Sequence, residues 1–155
     1  MSRLSRRVFI TTGAAAVGGG AIYAAGGQNV FYALITEEIT GEFITPDKAH
    51  ELAEAGKVTL IDIRRPDEWE KTGYGEGAQP LDMRRDDFID ALDQLIDGKR
   101  DAPVALICAR GVRSARLNNQ LVEAGFTNII DVPEGMLGNS KGPGWIKRGL
   151  PLLHP

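Results

Sequence analysis

The 155-residue chain has one cysteine and two histidines. A single cysteine excludes an internal disulfide, a Cys-x-x-Cys redox pair and a thiolate-rich zinc site. The histidines, His50 and His154, do not stand in metal-ligand spacing with Cys108, and His154 adjoins the C-terminus. No bound metal is expected. Acidic residues are missing from the first 36 positions, where Arg3, Arg6 and Arg7 supply the only charge. Beyond those arginines the chain holds 15 basic and 21 acidic residues, a net charge of −6. Such an acidic body lacks the clustered Lys and Arg that phosphate contacts need, which argues against a nucleic-acid partner. There are no internal repeats and no low-complexity tract beyond a Gly-rich leader. What remains is ordinary: 43% hydrophobic and 25% charged residues, as in a soluble globular domain, with length enough for one domain.

The leader has its own pattern. Ser5-Arg6-Arg7-Val8-Phe9-Ile10 resembles a twin-arginine export signal. Val8 to Ala25 follows, uncharged and rich in Ala and Gly. As a helix it would be about 27 Å long, a marginal membrane span weakened by Gly13, Gly18, Gly19 and Gly20. Residues 1–26 are therefore expected to be an export signal or a membrane anchor. Ala24-Ala25-Gly26 offers small residues for cleavage, and an uncleaved anchor is the alternative. In either case the body would be periplasmic, or tethered to the inner membrane facing the periplasm. Its partners would include the twin-arginine export machinery, and it would touch a membrane only through this segment.

Residues 27–41 read as a linker, running into a short strand near Phe43. Thr45-Pro46 opens a helix, with Thr as N-cap, Pro at the first helical position and Gly56 as stop. Val58 to Ile63 is a continuous apolar run suited to a strand buried on both faces. A short helix is expected from Pro66 to Lys71. Residues 85–97 carry Phe88, Ile89, Leu92, Leu95 and Ile96 at helical spacing. Pro103 to Cys108 is a second buried strand, and Ser114 to Ala124 a helix with Leu117, Leu121 and Val122 inward. Thr127 to Val132 is a third strand. Strands alternating with helices imply an α/β fold with a central parallel sheet and helices on both faces. Such sheets build their sites at the carboxyl ends of strands. Cys108 ends a strand there.

The segment Cys108-Ala109-Arg110-Gly111-Val112-Arg113-Ser114 has the chemistry of an activated thiol. A thiol must become a thiolate to react. A loop that aims backbone N–H groups inward, the positive end of the next helix, and the charges of Arg110 and Arg113 all favour that form. Gly111 suits the tight turn such a loop needs.

Cys-x-x-x-x-Arg between a strand and a helix resembles the active-site loop of the rhodanese family. Other matches follow in order. Leu60-Ile61-Asp62-Ile63-Arg64 with Pro66-Asp67-Glu68-Trp69 resembles the family's early strand and Asp-x-Arg signature. Gly77-Ala78, Arg113-Ser114-Ala115, Gly125-Phe126, Glu134-Gly135, Trp145 and Gly149-Leu150-Pro151 match later landmarks. The resemblance covers residues 42–152. Tyr74-Gly75-Glu76 stands where the family commonly has His-Ile-Pro, and Gly138 to Gly144 looks like an insertion.

The resemblance implies a rhodanese-like three-layer fold and a double-displacement sulfurtransferase. Cys108 would take sulfane sulfur from thiosulfate or a similar anionic donor, and pass it from a persulfide to a thiophilic acceptor such as cyanide or a thiol. The backbone N–H groups of Ala109, Arg110, Gly111, Val112 and Arg113 would hold the outer sulfur. Arg110 favours an anionic donor, and Arg113 would brace the loop or attract the anion. Asp62 and Arg64 are either substrate contacts or an ion pair beneath the loop. Arg84-Arg85 reads as a solvated face or as lining for the site entrance. No cofactor is expected. A phosphatase or arsenate reductase of the same broad fold would need five residues between Cys and Arg, and this loop has four. A sulfur-carrier module serving a dedicated protein partner would have the same loop and is distinguished only by its acceptor. A non-catalytic relative would commonly lack the cysteine.

Overall fold

The computed structural model describes residues 28–39 and 41–155. The leader expected at residues 1–26, with its paired arginines, lies outside them. No helix among the described residues is long and apolar enough to cross a membrane.

Five strands form a parallel sheet in the order β1-β6-β5-β2-β4. They are β1 (Glu42–Phe43), β2 (Thr59–Asp62), β4 (Ala78–Pro80), β5 (Val104–Ile107) and β6 (Ile129–Asp131). The two central strands are fully paired, with Thr59 to Asp62 of β2 opposite Val104 to Ile107 of β5. The antiparallel pair β3 (Tyr74–Gly75) and β7 (Leu152–Leu153) ties the C-terminus back to the body.

Period-two alternation along each strand splits the core into two layers. Ile61, Ile63, Val104, Leu106 and Ile129 face one side and pack under α4 (Phe88–Leu95) and α5 (Val112–Glu123) through Phe88, Leu92, Leu117 and Leu121. Leu60, Ala105, Ile107, Ile130 and Val132 face the other and meet Ala49 of α2 (Pro46–Glu54) and Trp145 of α6 (Gly144–Lys147). The apolar runs expected to be buried on both faces are so because helices cover both. The remaining helices are α1 (Gln28–Ile35) and α3 (Pro66–Thr72).

The local signals act as their chemistry dictates. Thr45 caps α2 by accepting from the Lys48 N–H, Pro46 occupies its first turn, and Gly56 follows its end at φ +64°. Three expectations differ. Residues 28–35 form α1 rather than linker: Val30 to Ile35 is a run without Gly or Pro, and Tyr32 and Ile35 on it line the cavity beside the Cys108 loop. Helix α5 begins at Val112, two residues earlier than expected, since Gly111 at φ +86° already makes the turn. Val122 is 46% exposed rather than inward, because it lies off the buried stripe of α5 formed by Ser114, Ala115, Leu117, Asn118 and Leu121.

Candidate active site

Cys108 follows β5 directly, at the carboxyl end of the sheet, and is 1% exposed. Its Sγ accepts from the Gly111 N–H at 3.1 Å and lies 3.6 Å from the Ser114 hydroxyl. The thiol lines a cavity of about 400 Å³ with Tyr32, Ile35, Glu68, Arg110 and Arg113. Because α5 starts four residues after the cysteine, its N-terminal end stands beside the sulfur, where its partial positive charge favours an anion. One of the expected loop amides, that of Gly111, reaches Sγ directly.

The loop is held from outside by the segment that follows β6. The carbonyl of Cys108 accepts from Met136 N–H at 2.8 Å, and that of Ala109 from Leu137 N–H at 2.9 Å. Asn139 Nδ2 donates to the carbonyls of Arg110 at 2.8 Å and Pro133 at 2.7 Å. The Gly111 carbonyl accepts from Ala115 N–H at 3.2 Å. Gly135, at φ +66°, lets the two segments meet, since a Cβ there would stand 2.5 Å from the Ala109 carbonyl. The expected insertion 138–144 thus carries the residue that pins the loop.

The loop cations are engaged. Arg113 donates to both oxygens of Glu68, each at 2.7 Å. Burial pushes the Glu68 carboxyl up, but the Arg113 guanidinium and the Arg65 N–H hold it below the usual carboxylate range. Arg110 donates to the Gly138 carbonyl at 2.8 Å and stacks over the Tyr32 ring at 5.2 Å. It lines both the thiol cavity and a second cavity of about 390 Å³.

Asp62 and Arg64 are 0% and 1% exposed and do not line the thiol cavity. Arg64 forks onto the Asp62 carboxylate through Nε at 3.0 Å and a terminal nitrogen at 2.8 Å. It also donates to the Gly73 carbonyl at 2.7 Å and the Thr72 hydroxyl at 2.8 Å. The arrangement joins β2 to the end of α3. Arg84 and Arg85 are exposed and paired with Asp82 and Asp87.

Asp131, at the end of β6, belongs to none of the motifs around Cys108. It is 1% exposed, its Oδ1 has no hydrogen-bond partner, and it lines the second cavity with Arg110 and Lys141. Burial pushes its carboxyl up to about 6, against the pull of the Ser114 hydroxyl, the Lys141 charge and the Val132 N–H. Polar residues inside an apolar strand signal such a site, and Ile129-Ile130-Asp131-Val132 has one.

The chain belongs to the rhodanese-like domain family, whose model matches residues 45–140. Among curated proteins, a tRNA uridine(34) hydroxylase of Chlamydia abortus is 30% identical over 107 residues, 67% of this chain and 32% of its own length. Another of that name from Legionella pneumophila is 24% identical over 98 residues, 63% of this chain and 39% of its own length. The chain thus spans about a third of the length of these curated relatives. Among solved structures, the polysulfide-sulfur transferase homodimer of Wolinella succinogenes is 25% identical, with a TM-score of 0.53 over 88% of this chain and 93% of that one. The neighbours include sulfurtransferases, and the fold is the rhodanese fold of a central parallel sheet between helices.

Proposed function

We propose that this protein is a sulfurtransferase that takes sulfane sulfur from thiosulfate, or a similar anionic donor, onto Cys108. The observation that carries the reading is the Gly111 N–H aimed at Sγ from 3.1 Å, at the floor of a cavity edged by Arg110 and Arg113. The Cys108 thiolate attacks the outer sulfur of the donor. The donor S–S bond breaks, and sulfite leaves with the electron pair. The Cys108 persulfide then offers its outer sulfur to a thiophilic acceptor, whose attack returns the cysteine as a thiolate. Hydrogen bonds placed where the anion forms cost little reorganisation during reaction. The likeness to the Wolinella succinogenes polysulfide-sulfur transferase supports sulfur transfer and widens the donor class to polysulfide.

The hydroxylation named for the tRNA-modifying relatives belongs to proteins about three times as long as the matched segment, and the net negative charge of the body disfavours an RNA partner here. The leader supports a periplasmic or inner-membrane setting, reached through twin-arginine export. The acceptor is a small thiol or a dedicated protein.

The test is the intact mass of the full-length chain after exposure to thiosulfate, beside Cys108→Ser. A gain of one sulfur atom by the parent alone is expected. No gain with thiosulfate or polysulfide, from a chain whose Cys108 still alkylates, overturns the reading.

A further inference from the structure

The family's model matches residues 45–140, yet the cavity at Cys108 has a wall that lies before them. Tyr32 and Ile35 of α1 line that cavity together with Cys108, Val112 and Leu137. Ile35 lines it and is still 43% exposed, which sets it at the rim. Tyr32 is half-buried and lines the second cavity as well. Cys108 itself is 1% exposed, and the cavity beside it measures about 400 Å³. Pockets of this size suit small molecules. The surface of a folded protein does not reach a thiol buried so far.

Helix α1 is seated on the loop and on α5 by a small set of contacts. The Arg110 guanidinium lies over the Tyr32 ring, 5.2 Å from its centroid. Thr36 closes the helix, its N–H and its hydroxyl both donating to the Tyr32 carbonyl, at 3.1 Å and 2.6 Å. Glu37, the next residue, accepts from Arg116 at 3.2 Å and from Asn119 at 3.3 Å. Asn119 also donates to the Glu38 carbonyl at 3.1 Å. The Glu37–Arg116 pair is exposed on both sides, and exposed pairs hold weakly. A helix of eight residues has little stability of its own. These contacts are weak enough to release and specific enough to re-form.

From this arrangement we infer that α1 is a size-selecting wall of the thiol site, with Tyr32 and Ile35 as its specificity-determining residues. While α1 is seated, Cys108 meets only donors and acceptors small enough to enter the cavity. The acceptor is then a small thiol, not a cysteine on the surface of a protein. A protein acceptor gains access only when α1 lifts, which breaks the Arg110–Tyr32 stack and the Glu37 contacts together. No chemistry changes at the sulfur; what changes is the width of the molecule that reaches it.

The inference rests on Cys108 as the sulfur carrier and names the size of its acceptor, but its test does not need a sulfur donor. The full-length chain is treated at one fixed pH with iodoacetamide and, separately, with fluorescein maleimide. Intact mass gives the two rates, and near-ultraviolet circular dichroism confirms folding. The ratio of the large reagent's rate to the small one's cancels any change in thiolate fraction, because both reagents attack the same anion. In Tyr32→Ala the ratio should rise about tenfold, the scale of losing one cation–aromatic contact with its packing. Ile35→Ala should raise it less. Tyr32→Phe keeps the ring and should keep the parent ratio. Glu37→Arg should raise the ratio about threefold, and adding Arg116→Glu should lower it again as the reversed pair forms. A parent ratio left unchanged by both Tyr32→Ala and Glu37→Arg overturns the wall. So does a Tyr32→Phe variant as permissive as Tyr32→Ala. A chain that sorts the two reagents but gains no sulfur mass from thiosulfate or polysulfide refutes the sulfur-transfer reading alone.

Discussion

Replacing Arg64 with methionine separates a structural ion pair from a substrate contact. Methionine keeps much of the apolar volume and removes the fork onto Asp62, together with the bonds to the Gly73 carbonyl and the Thr72 hydroxyl. The Asp62 carboxylate is then left buried without its countercharge, since it is 0% exposed. Stranding one partner of a buried pair costs about 3–5 kcal/mol. Against a typical total stability of about 5–15 kcal/mol, that is a large fraction. Urea unfolding followed by the fluorescence of Trp69 and Trp145 measures it. Asp62→Leu combined with Arg64→Met should recover most of the loss, because a well-packed apolar pair replaces a desolvated ionic one at little net cost. The reasoning is refuted if Arg64→Met keeps its urea midpoint within the span of a surface substitution. If the same variant also stopped gaining sulfur, Arg64 would have to be a substrate contact.

Asp131 should trade stability against pH. Its folded carboxyl sits at about 6 and its ordinary value is 3.8, so its contribution is fully present below pH 3.8 and is lost as pH rises through 6. Asp131→Asn is therefore expected to be more stable than the parent at pH 7.5, by on the order of 2–3 kcal/mol, and nearly equal to it at pH 4; paired urea titrations decide. Gly111→Ala meets both a φ of +86° and the Pro133 carbonyl, and should lose both stability and sulfur loading, read by thermal melting and intact mass. Glu68→Gln keeps the hydrogen-bonding shape but frees the charge of Arg113 at the cavity wall. It should lower the KM for thiosulfate at low ionic strength and have little effect at high salt, where such charges are screened.

Much of this fold was legible because its signals are local. Thr45-Pro46 and Gly56 bound α2 by capping chemistry, and the runs of β2 and β5 alternate between two covered faces. Cys108 was legible from its position between strand and helix. What surrounds it was not. Asn139 reaches the loop across 29 residues of chain, and Glu68 reaches Arg113 across 45. No periodicity or spacing encodes such pairs, because they depend on how the sheet twists separate segments together. Helix α1 was missed for a related reason: its eight residues have little independent helical stability and gain their order by packing at the thiol cavity.

The outward bonds of the loop carbonyls have a consequence for its polarity. In a trans peptide the C=O and the following N–H point in opposite directions across one rigid plane. Fixing the carbonyls of Cys108, Ala109 and Arg110 therefore also fixes the orientation of the next three amides, that of Gly111 included. The residues that aim a positive potential at the sulfur are thus Met136, Leu137 and Asn139, none of which carries charge. They act as a mould in which neutral peptide groups are set like needles, and the field at Cys108 exists before any donor arrives.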